Sequence, residues 1–268
     1  VPILVRSDSH SFGRNRASLL EKTKCSIRSI LLRNYDAGLY VGKWSRQYFI
    51  DSGVDPASLY FTPHCVDSDW FRSRSGVATR KIFREKLGIA PDKKVVAFAG
   101  KLVSGKRPMD VIAAAHVLQL RGICTKVLFA GDGPLRHELQ NFAAEKGVDA
   151  HFLGFCNQSE MPKVYAAADV LVIPSERETW GLVANEAVVC GCPVVASDMV
   201  GCGPDLLSEK GCGLIFPVGN VSGLADAVSE ILGSTVSEET LTMAGNFYSP
   251  NASAESILDA ARSVVGRQ

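Results

Sequence analysis

The sequence lacks long apolar runs and an excess of charge of either sign. None of its apolar runs approaches the roughly 20 residues that a helix needs to cross a bilayer, which argues against a helical membrane span. Lysine and arginine number 29 against 28 aspartate and glutamate residues, so the formal net charge is only +1. A nearly neutral chain argues against nucleic acid as the principal partner. With 268 residues, 46% of them hydrophobic, the chain is long enough for one large or two ordinary domains.

The eight cysteines also lack the spacing of a metal site. None forms Cys-x-x-Cys and no histidine stands at a zinc-site spacing, which argues against a structural zinc. Most of them lie in apolar stretches, where free cysteine behaves as a small hydrophobic residue. Because free thiols are typical of a reducing compartment, we expect a cytoplasmic protein. The cysteines are Cys25, Cys65, Cys124, Cys156, Cys190, Cys192, Cys202 and Cys212.

From residue 79 onward, helical patterns alternate with short apolar runs. The predicted strands are 95–100, 127–131, 150–153, 170–174, 193–197 and 213–216. The predicted helices are 79–87, 108–121, 134–146, 158–168, 181–189 and 221–232. This alternation predicts a parallel sheet with right-handed crossovers, and hence a doubly wound, Rossmann-like α/β domain. The polar stretch 72–80 is interpreted as a linker. Before it, the predicted strands are 1–5, 36–42 and 59–62, and the predicted helices are 17–33 and 45–52.

The segment 175–189 carries the most informative residues. Glu178 lies in the loop after the buried strand 170–174, and the next helix is predicted to begin at Gly181. The N–H groups that this helix leaves unpaired are those of Gly181, Leu182 and Val183. Together with the helix dipole they form an anion site. Glu186 lies about two turns further on, where a carboxylate suits the hydroxyls of a ribose better than a phosphate. The alternative is that both glutamates only support the helix dipole.

Two more loops follow the first and second strands of the predicted domain. Lys101 and Lys106 flank a glycine, and two lysines at this spacing can bind a diphosphate without bidentate geometry. This is not a Walker loop, because the order Gly-x4-Gly-Lys-Ser/Thr is absent. The second loop, Gly-Asp-Gly-Pro-Leu at 131–135, has half of a dinucleotide-binding fingerprint. Arg136 stands where the third glycine should be, which weakens a dehydrogenase interpretation.

Five blocks, which follow one another along the chain in the family's order, resemble the retaining glycosyltransferases of family four, which have the GT-B fold. The blocks are Glu178-x7-Glu186, Gly-Lys-Leu-x3-Lys at 100–106, Gly-Asp-Gly-Pro-Leu at 131–135, Phe-Leu-Gly-Phe at 152–155 and Val-Asp-x3-Phe at 66–71. Lys101 replaces the usual arginine, which keeps the charge and loses the fork of donors. The resemblance implies a GT-B architecture with a Rossmann-like donor domain and an incomplete second Rossmann-like domain.

The resemblance also implies a role for each site residue. Glu178 lies beside the donor sugar and balances the charge of the anomeric carbon, Glu186 holds the ribose, and Phe155 belongs to the loop that meets the base. The implied donor-binding residues are Lys101, Lys106, Phe155, Trp180, Gly181, Leu182, Val183 and Glu186. His10, after the first strand, resembles a histidine that faces the donor sugar and is counted as catalytic with Glu178. A bend glycine at a strand end explains 152–155 equally well, and a loop histidine is more often a plain surface residue.

The expected function is transfer of a hexose from a UDP- or GDP-sugar to a glycan or lipid-linked acceptor with retention, in polysaccharide or glycoconjugate biosynthesis. We expect no cofactor and no metal ion. The pair Asp67 and Asp69 offers too few oxygen ligands for a hard cation and is interpreted as a turn. Two alternatives stay open, a nucleotide-sugar-binding module without turnover and, less favoured, a sugar-nucleotide epimerase on the same fold.

The predicted domain limits follow from the resemblance. Residues 1–71 are expected to be the end of an N-terminal acceptor domain, 72–250 the donor domain, and 251–268 a helix that packs back on the first domain. Since the glycine-rich loop that opens the first domain has no counterpart, we expect either a fragment of a longer chain or a loss of the first strands. Residues 1–50 carry nine basic and three acidic side chains. The basic segment 14–33 is therefore either a solvated helix face or a contact with anionic lipid at the inner face of a membrane.

Overall fold

The computed structural model describes residues 1–10, 19–32, 34–234 and 236–266. The chain divides into two compact units. The smaller unit comprises Val1–Cys65 and Tyr248–Gln268, and the larger unit comprises Val66–Phe247. The sequence placed these divisions after residues 71 and 250.

The smaller unit is built on a three-stranded parallel sheet in the order β1-β2-β3. Its elements are β1 (Leu4–Ser7), α1 (Leu19–Leu32), β2 (Ala37–Tyr40), α2 (Lys43–Asp51), β3 (Leu59–Phe61) and α11 (Pro250–Val265). Gly38 in β2 leaves room for the Leu59 side chain, because a Cβ there would lie 2.7 Å from Leu59 Cδ2. The C-terminal helix α11 packs on β2 and β3. Two hydrogen bonds fix it, from Tyr60 Oη to Ser263 Oγ (2.7 Å) and from Ser253 Oγ to Pro63 O (3.0 Å).

The larger unit contains a six-stranded parallel sheet, within the described residues, in the order β6-β5-β4-β7-β8-β9. The strands are β4 (Lys94–Ala99), β5 (Thr125–Ala130), β6 (Asp149–Gly154), β7 (Val170–Ile173), β8 (Val194–Ser197) and β9 (Gly213–Phe216). The helices are α3 (Ser68–Arg72), α4 (Val77–Lys86), α5 (Pro108–Leu120), α6 (Arg136–Lys146), α7 (Met161–Ala167), α8 (Leu182–Val189), α9 (Val221–Gly233) and α10 (Glu238–Phe247). The predicted parallel α/β class is confirmed.

The strand order reverses at the centre of this sheet. From β4 the chain proceeds outward through β5 and β6, and it then returns to the other side of β4 to form β7, β8 and β9. All four residues of β7 are buried, as expected for a central parallel strand covered on both faces. The carboxyl ends of β4 and β7 therefore flank a topological switch point, which is where open α/β sheets bind ligands.

The predicted linker at 72–80 is wrong, because helices occupy most of it. α3 ends at Arg72 and α4 begins at Val77, with only 73–76 between them. Charged side chains dock α4 on the sheet, where Asp169 accepts hydrogen bonds from Arg80 Nη2 (2.6 Å) and Arg84 Nη2 (3.1 Å). Asp169 lies 89 and 85 residues away from these two arginines in the sequence. The segment 72–80 therefore showed only its polar composition and gave no sign of a packed helix.

Helix α10 and a π-helix at Gly203–Glu209 are absent from the sequence-based prediction. The buried face of α10 is made of Leu241, Ala244 and Gly245, which gives little hydrophobic periodicity. A Cβ at Gly245 would lie 3.0 Å from Val189 Cγ2, so the small residue permits close packing of α10 on α8. In the smaller unit, β1 spans 4–7 where the sequence predicted 1–5.

The basic side chains of the segment 14–33 lie outside the described residues and side chains. The predicted contact with anionic lipid therefore stays a prediction. Among the helices that the structure describes, none is both long enough and apolar enough to cross a membrane.

Candidate functional site

The loops after β4 and β7 meet at the switch point. The Glu176 N–H donates to Gly105 O across 2.9 Å, which joins the two loops through their backbones. Lys106 Nζ contacts Glu178 Oε2 in an ion pair between the same loops. The two side chains are 30% and 24% exposed, so the pair is open to solvent on one side. The structure thus brings together a cation predicted to bind phosphate and the carboxylate predicted to act on the sugar.

Arg107 forms a second side-chain connection between the same two loops. Its guanidinium donates to both oxygens of Asp110 (2.7 and 3.2 Å) and to Glu176 Oε1 (2.9 Å). The hydrogen bonds to Asp110 are the main reason that the pKa of Arg107 lies above the ordinary value for arginine. Its backbone is left-handed (φ 50°, ψ 45°), and among the described non-glycine residues it alone has a positive φ. An L-residue adopts this conformation only where its surroundings compensate the strain. Sequence analysis missed Arg107 because its contact with the loop after β7, through Glu176, is set by the tertiary fold.

Lys101 lies at the start of the loop after β4 and is exposed. Within the described part of the chain, its ammonium group makes no hydrogen bond or ion pair. Lys101 therefore presents a free cation at the edge where Lys106 is already paired. A ligand anion can approach Lys101 without breaking an existing contact.

The Gly-Asp-Gly loop after β5 packs backbone to backbone on the loop after β4. Leu102 N–H donates to Asp132 O across 3.0 Å. A Cβ at Gly131 would lie 1.9 Å from Gly100 O, and one at Gly133 would lie 2.5 Å from Leu102 O. Both distances are below 3.0 Å, a separation that real Cβ atoms essentially never show. The glycines are thus explained by loop packing, and they need no dinucleotide to account for them.

The loop that carries Glu178 is fixed by residues 199–202, which follow β8. Glu178 N–H donates to Met199 O (3.1 Å), and Gly201 N–H donates to Glu178 O (3.0 Å). A Cβ at Gly201 would lie 1.9 Å from Thr179 O, so the close approach requires glycine. The backbone beside the Glu178 carboxylate is therefore held on both sides.

The side chain of Trp180 is buried, and its predicted place among the donor-binding residues stays a prediction. It is 2% exposed, and its indole N–H donates to Asn185 Oδ1 across 2.8 Å. Burial of a large aromatic ring with a satisfied N–H indicates a structural role at the start of α8.

Helix α8 begins at Leu182, one residue later than predicted, with Gly181 as its left-handed N-cap (φ 95°). In the part of the chain that the structure describes, the N–H groups of Leu182 and Val183 have no acceptor. These donors and the dipole make the N-terminus of α8 a place where an anion is stabilised. Leu182 is 42% exposed, so this end of the helix is accessible.

Glu186 lies deeper in α8 and is held by a residue that sequence analysis did not single out. Tyr165 in α7 donates its hydroxyl to Glu186 Oε2 across 2.7 Å. Burial raises the pKa of Glu186, and the hydrogen bond from Tyr165 opposes this shift. Burial first, and then the nearby Glu186 charge, raise the pKa of Tyr165 well above its usual value, so its hydroxyl stays protonated and donates. The sequence shows only a tyrosine within an apolar helix, which is an ordinary core pattern.

Comparison with known proteins decides the family. Residues 79–246 match the profile of the family described as Glycosyl transferases group 1, which is more than half of the chain. The chain belongs to this family. It is 33% identical over 184 residues to a D-inositol 3-phosphate glycosyltransferase of Mycobacteroides abscessus, which is 67% of this chain and 40% of that protein. A protein of the same name from Saccharomonospora viridis is 36% identical over 178 residues, 62% of this chain and 40% of its own length. The chain thus spans about 40% of the length of these relatives.

Solved structures show the same fold. Sucrose-phosphate synthase of Thermosynechococcus elongatus superposes with a TM-score of 0.75 and 23% identity, over 99% of this chain and 68% of that one. The Anabaena protein HepE, solved in complex with UDP and glucose, gives a TM-score of 0.70 and 19% identity, over 99% and 71%. At these identities the likeness establishes the fold. The predicted GT-B class and the predicted resemblance to family-four glycosyltransferases are confirmed.

Phe155 lies directly after β6, and its ring is exposed. It is 82% exposed and follows Gly154, whose φ is 77°. Gly131 N–H donates to Gly154 O (2.8 Å), so Phe155 follows a strand end that is tied to the loop after β5. Its predicted contact with a base stays a prediction.

His10 of the glycosyltransferase chain belongs to the smaller unit, three residues after β1 ends. It is 1% exposed, so the alternative of a plain surface histidine is wrong. Its predicted role beside the donor sugar stays a prediction.

The turn with Asp67 and Asp69 has helix-capping geometry. Asp67 caps α3, where its Oδ1 accepts from Trp70 N–H across 2.9 Å. Asp69 is fully exposed and pairs with Arg72 at 3.5 Å. Across the described ranges, no group of three or more histidine, cysteine, aspartate or glutamate side chains is arranged to hold a metal ion. The seven cysteines whose side chains are described are all free thiols.

Proposed function

We propose that the larger unit binds a nucleotide-diphosphate hexose at the switch point between β4 and β7. The diphosphate lies against Lys101, Lys106 and the N-terminus of α8, the ribose hydroxyls bind Glu186, and the base lies toward Phe155. UDP is the first candidate nucleotide, since the structural neighbour HepE was solved with UDP and glucose. GDP is the alternative.

The contact between Lys106 and Glu178 carries the proposal. It joins an ammonium group and a carboxylate at the carboxyl edge of the sheet, where Leu182 at the start of α8 and Lys101 are also exposed. When the glycosidic bond to the diphosphate breaks, negative charge builds on the departing phosphate and positive charge on the anomeric carbon. Lysines and helix N–H groups stabilise the first, and the Glu178 carboxylate stabilises the second.

We propose transfer with retention to a glycan or lipid-linked acceptor, in the synthesis of a polysaccharide or glycoconjugate in the cytoplasm. Two relatives are named D-inositol 3-phosphate glycosyltransferase. Because inositol is a ring that carries hydroxyl groups, these names support an acceptor of that kind. Because the two lysines and α8 supply positive charge for the leaving group, the proposal requires no metal ion. The catalytic role predicted for His10 is kept as part of this proposal.

A second candidate is a nucleotide-sugar-binding module without turnover. The observation that favours it is that Lys101, Lys106, Glu186 and the N-terminus of α8 all belong to the larger unit. The two candidates make the same prediction for binding and opposite predictions for transfer.

Calorimetry with UDP and GDP in the presence of EDTA tests binding, and release of UDP or GDP from UDP-glucose or GDP-mannose tests turnover. We expect binding of one nucleotide in chelator. Turnover that disappears in Glu178→Gln supports the transferase, and binding without turnover supports the module. Absence of binding to both nucleotides contradicts the proposed site, and binding that needs added manganese contradicts its metal independence.

A further inference from the structure

Tyr165 is a buried polar residue with a single described partner for its hydroxyl. It lies in α7 with 0% exposure, and its Oη donates to Glu186 Oε2 across 2.7 Å. A ligand at the switch point cannot touch a side chain that is fully covered. Any effect of Tyr165 on a ligand must therefore pass through Glu186.

The hydrogen bond defines which part of the Glu186 carboxylate is left for a ligand. Oε2 is occupied by Tyr165, and no described residue donates to Oε1. Glutamate has three rotatable side-chain bonds, so an untethered carboxylate samples several positions. To accept hydrogen bonds from two neighbouring ribose hydroxyls, Glu186 Oε1 has to be held in one position.

We propose that Tyr165 is a positioning residue that sets the preference for ribonucleotides by fixing the carboxylate of Glu186. The inference rests on the proposed function, in which Glu186 accepts hydrogen bonds from the ribose. It predicts a defect that is confined to the sugar hydroxyls. Loss of the Tyr165 hydroxyl weakens binding of a ribonucleotide and leaves binding of its dideoxy counterpart unchanged.

Calorimetry with UDP and 2′,3′-dideoxy-UDP, or with the matching GDP pair if GDP binds better, measures this preference directly. We expect the wild-type chain to bind the ribonucleotide more tightly by about tenfold, as for loss of hydrogen bonds to a charged group. Tyr165→Phe should reduce this ratio by about threefold or more while the dideoxy affinity stays the same. Glu186→Gln should reduce it further, and the double variant should match Glu186→Gln because Tyr165 acts only through that carboxylate.

Tyr60→Phe is the matched control. It removes a tyrosine hydroxyl that also donates at 2.7 Å, to Ser263 in the smaller unit. Its ratio should equal that of the wild type. A general loss of stability would lower both affinities together, whereas the proposal requires that only the ribonucleotide affinity changes.

The outcomes separate the inference from the proposed function. An unchanged ratio in Tyr165→Phe, with a reduced ratio in Glu186→Gln, overturns the inference and leaves the ribose assignment in place. An unchanged ratio in Glu186→Gln overturns the ribose assignment and the inference with it. If circular dichroism shows that Tyr165→Phe does not fold, Glu186→Asp tests the same hydrogen bond by withdrawing the carboxylate from Tyr165. A ratio that is retained in Glu186→Asp overturns the inference.

Discussion

Replacement of Glu178 by glutamine should strengthen the binding of a nucleoside diphosphate. In the free protein Lys106 Nζ is paired with the Glu178 carboxylate. A diphosphate that uses Lys106 has to displace this partner or lie beside a second negative charge. Glu178→Gln removes both obstacles and keeps the shape of the side chain. The same variant should lose transfer activity, because it also removes the carboxylate that we propose to lie beside the anomeric carbon.

The magnitude follows from the exposure of the pair. Ion pairs between side chains that are about one quarter to one third exposed contribute about 0.5–1 kcal/mol. A free-energy difference of about 1.4 kcal/mol corresponds to a tenfold change in Kd. Glu178→Gln should therefore lower the Kd for UDP by about two- to fivefold. Lys106→Ala loses a charge-assisted contact of about 1.5–3 kcal/mol with the phosphate. In this variant, however, the nucleotide no longer has to break the ion pair between Lys106 and Glu178. The net loss is about 1–2 kcal/mol, or about tenfold in Kd.

Isothermal titration of UDP into wild type, Glu178→Gln, Lys106→Ala and the double variant measures these terms. The gain from Glu178→Gln should be largely lost in the Lys106→Ala background, because the competing pair no longer exists there. Asp149→Asn is the matched control, since it removes one negative charge from a pair with Lys126 (2.8 Å) at the opposite edge of the sheet. Equal or weaker binding by Glu178→Gln, with an unchanged control, would refute the competition between carboxylate and phosphate.

Two further predictions concern stability. Arg107→Gly should be more stable than Arg107→Ala by about 1 kcal/mol in urea unfolding. The left-handed backbone costs alanine about 1–2 kcal/mol, and the flexibility of glycine in the unfolded chain offsets about 0.4–1 kcal/mol of this. Equal midpoints would mean that the loop leaves that conformation once the guanidinium is removed. Burial raises the pKa of Glu186 above its ordinary value of 4.5, so the folded state binds the proton more tightly than the unfolded state. The unfolding free energy of the wild type relative to Glu186→Gln should therefore increase as the pH falls from 7 toward 5, and a difference that is independent of pH would contradict this assignment.

The sheet of the larger unit could be predicted because its sequence signals are local. Val170–Ile173 is a short apolar run between polar residues, and the structure places it as the buried strand β7. Pro108 marks the first position of α5, as its fixed φ and missing N–H favour. Signals of this kind are contained in a few consecutive residues. The elements that were missed, such as α10 with Ala244 and Gly245 on its buried face, are defined by what they pack against.

The site could be predicted only where its residues follow strands directly. Lys106 and Glu178 each come a few residues after a strand, so parallel topology alone brings them to one edge. Tyr165 and Arg107 could not be found in this way, because the contacts that tie them to Glu186 and Glu176 span 21 and 69 residues. Trp180 shows that a position next to the site in the sequence does not fix where the side chain lies. It is adjacent to the site in sequence, but its side chain points into the core.

The glycine loops show why a motif has to be interpreted through its contacts. Gly131 and Gly133 match half of a dinucleotide fingerprint, in which the missing side chains make room for a pyrophosphate. Here the space is filled by the backbone of Gly100 and Leu102, at distances that no Cβ could tolerate. These glycines therefore bring the first two loops of the sheet together, and the groups that we propose to bind the diphosphate are those of Lys101, Lys106 and α8. If this is correct, an alanine at Gly131 should disturb nucleotide binding only as far as it displaces the loop that carries the lysines.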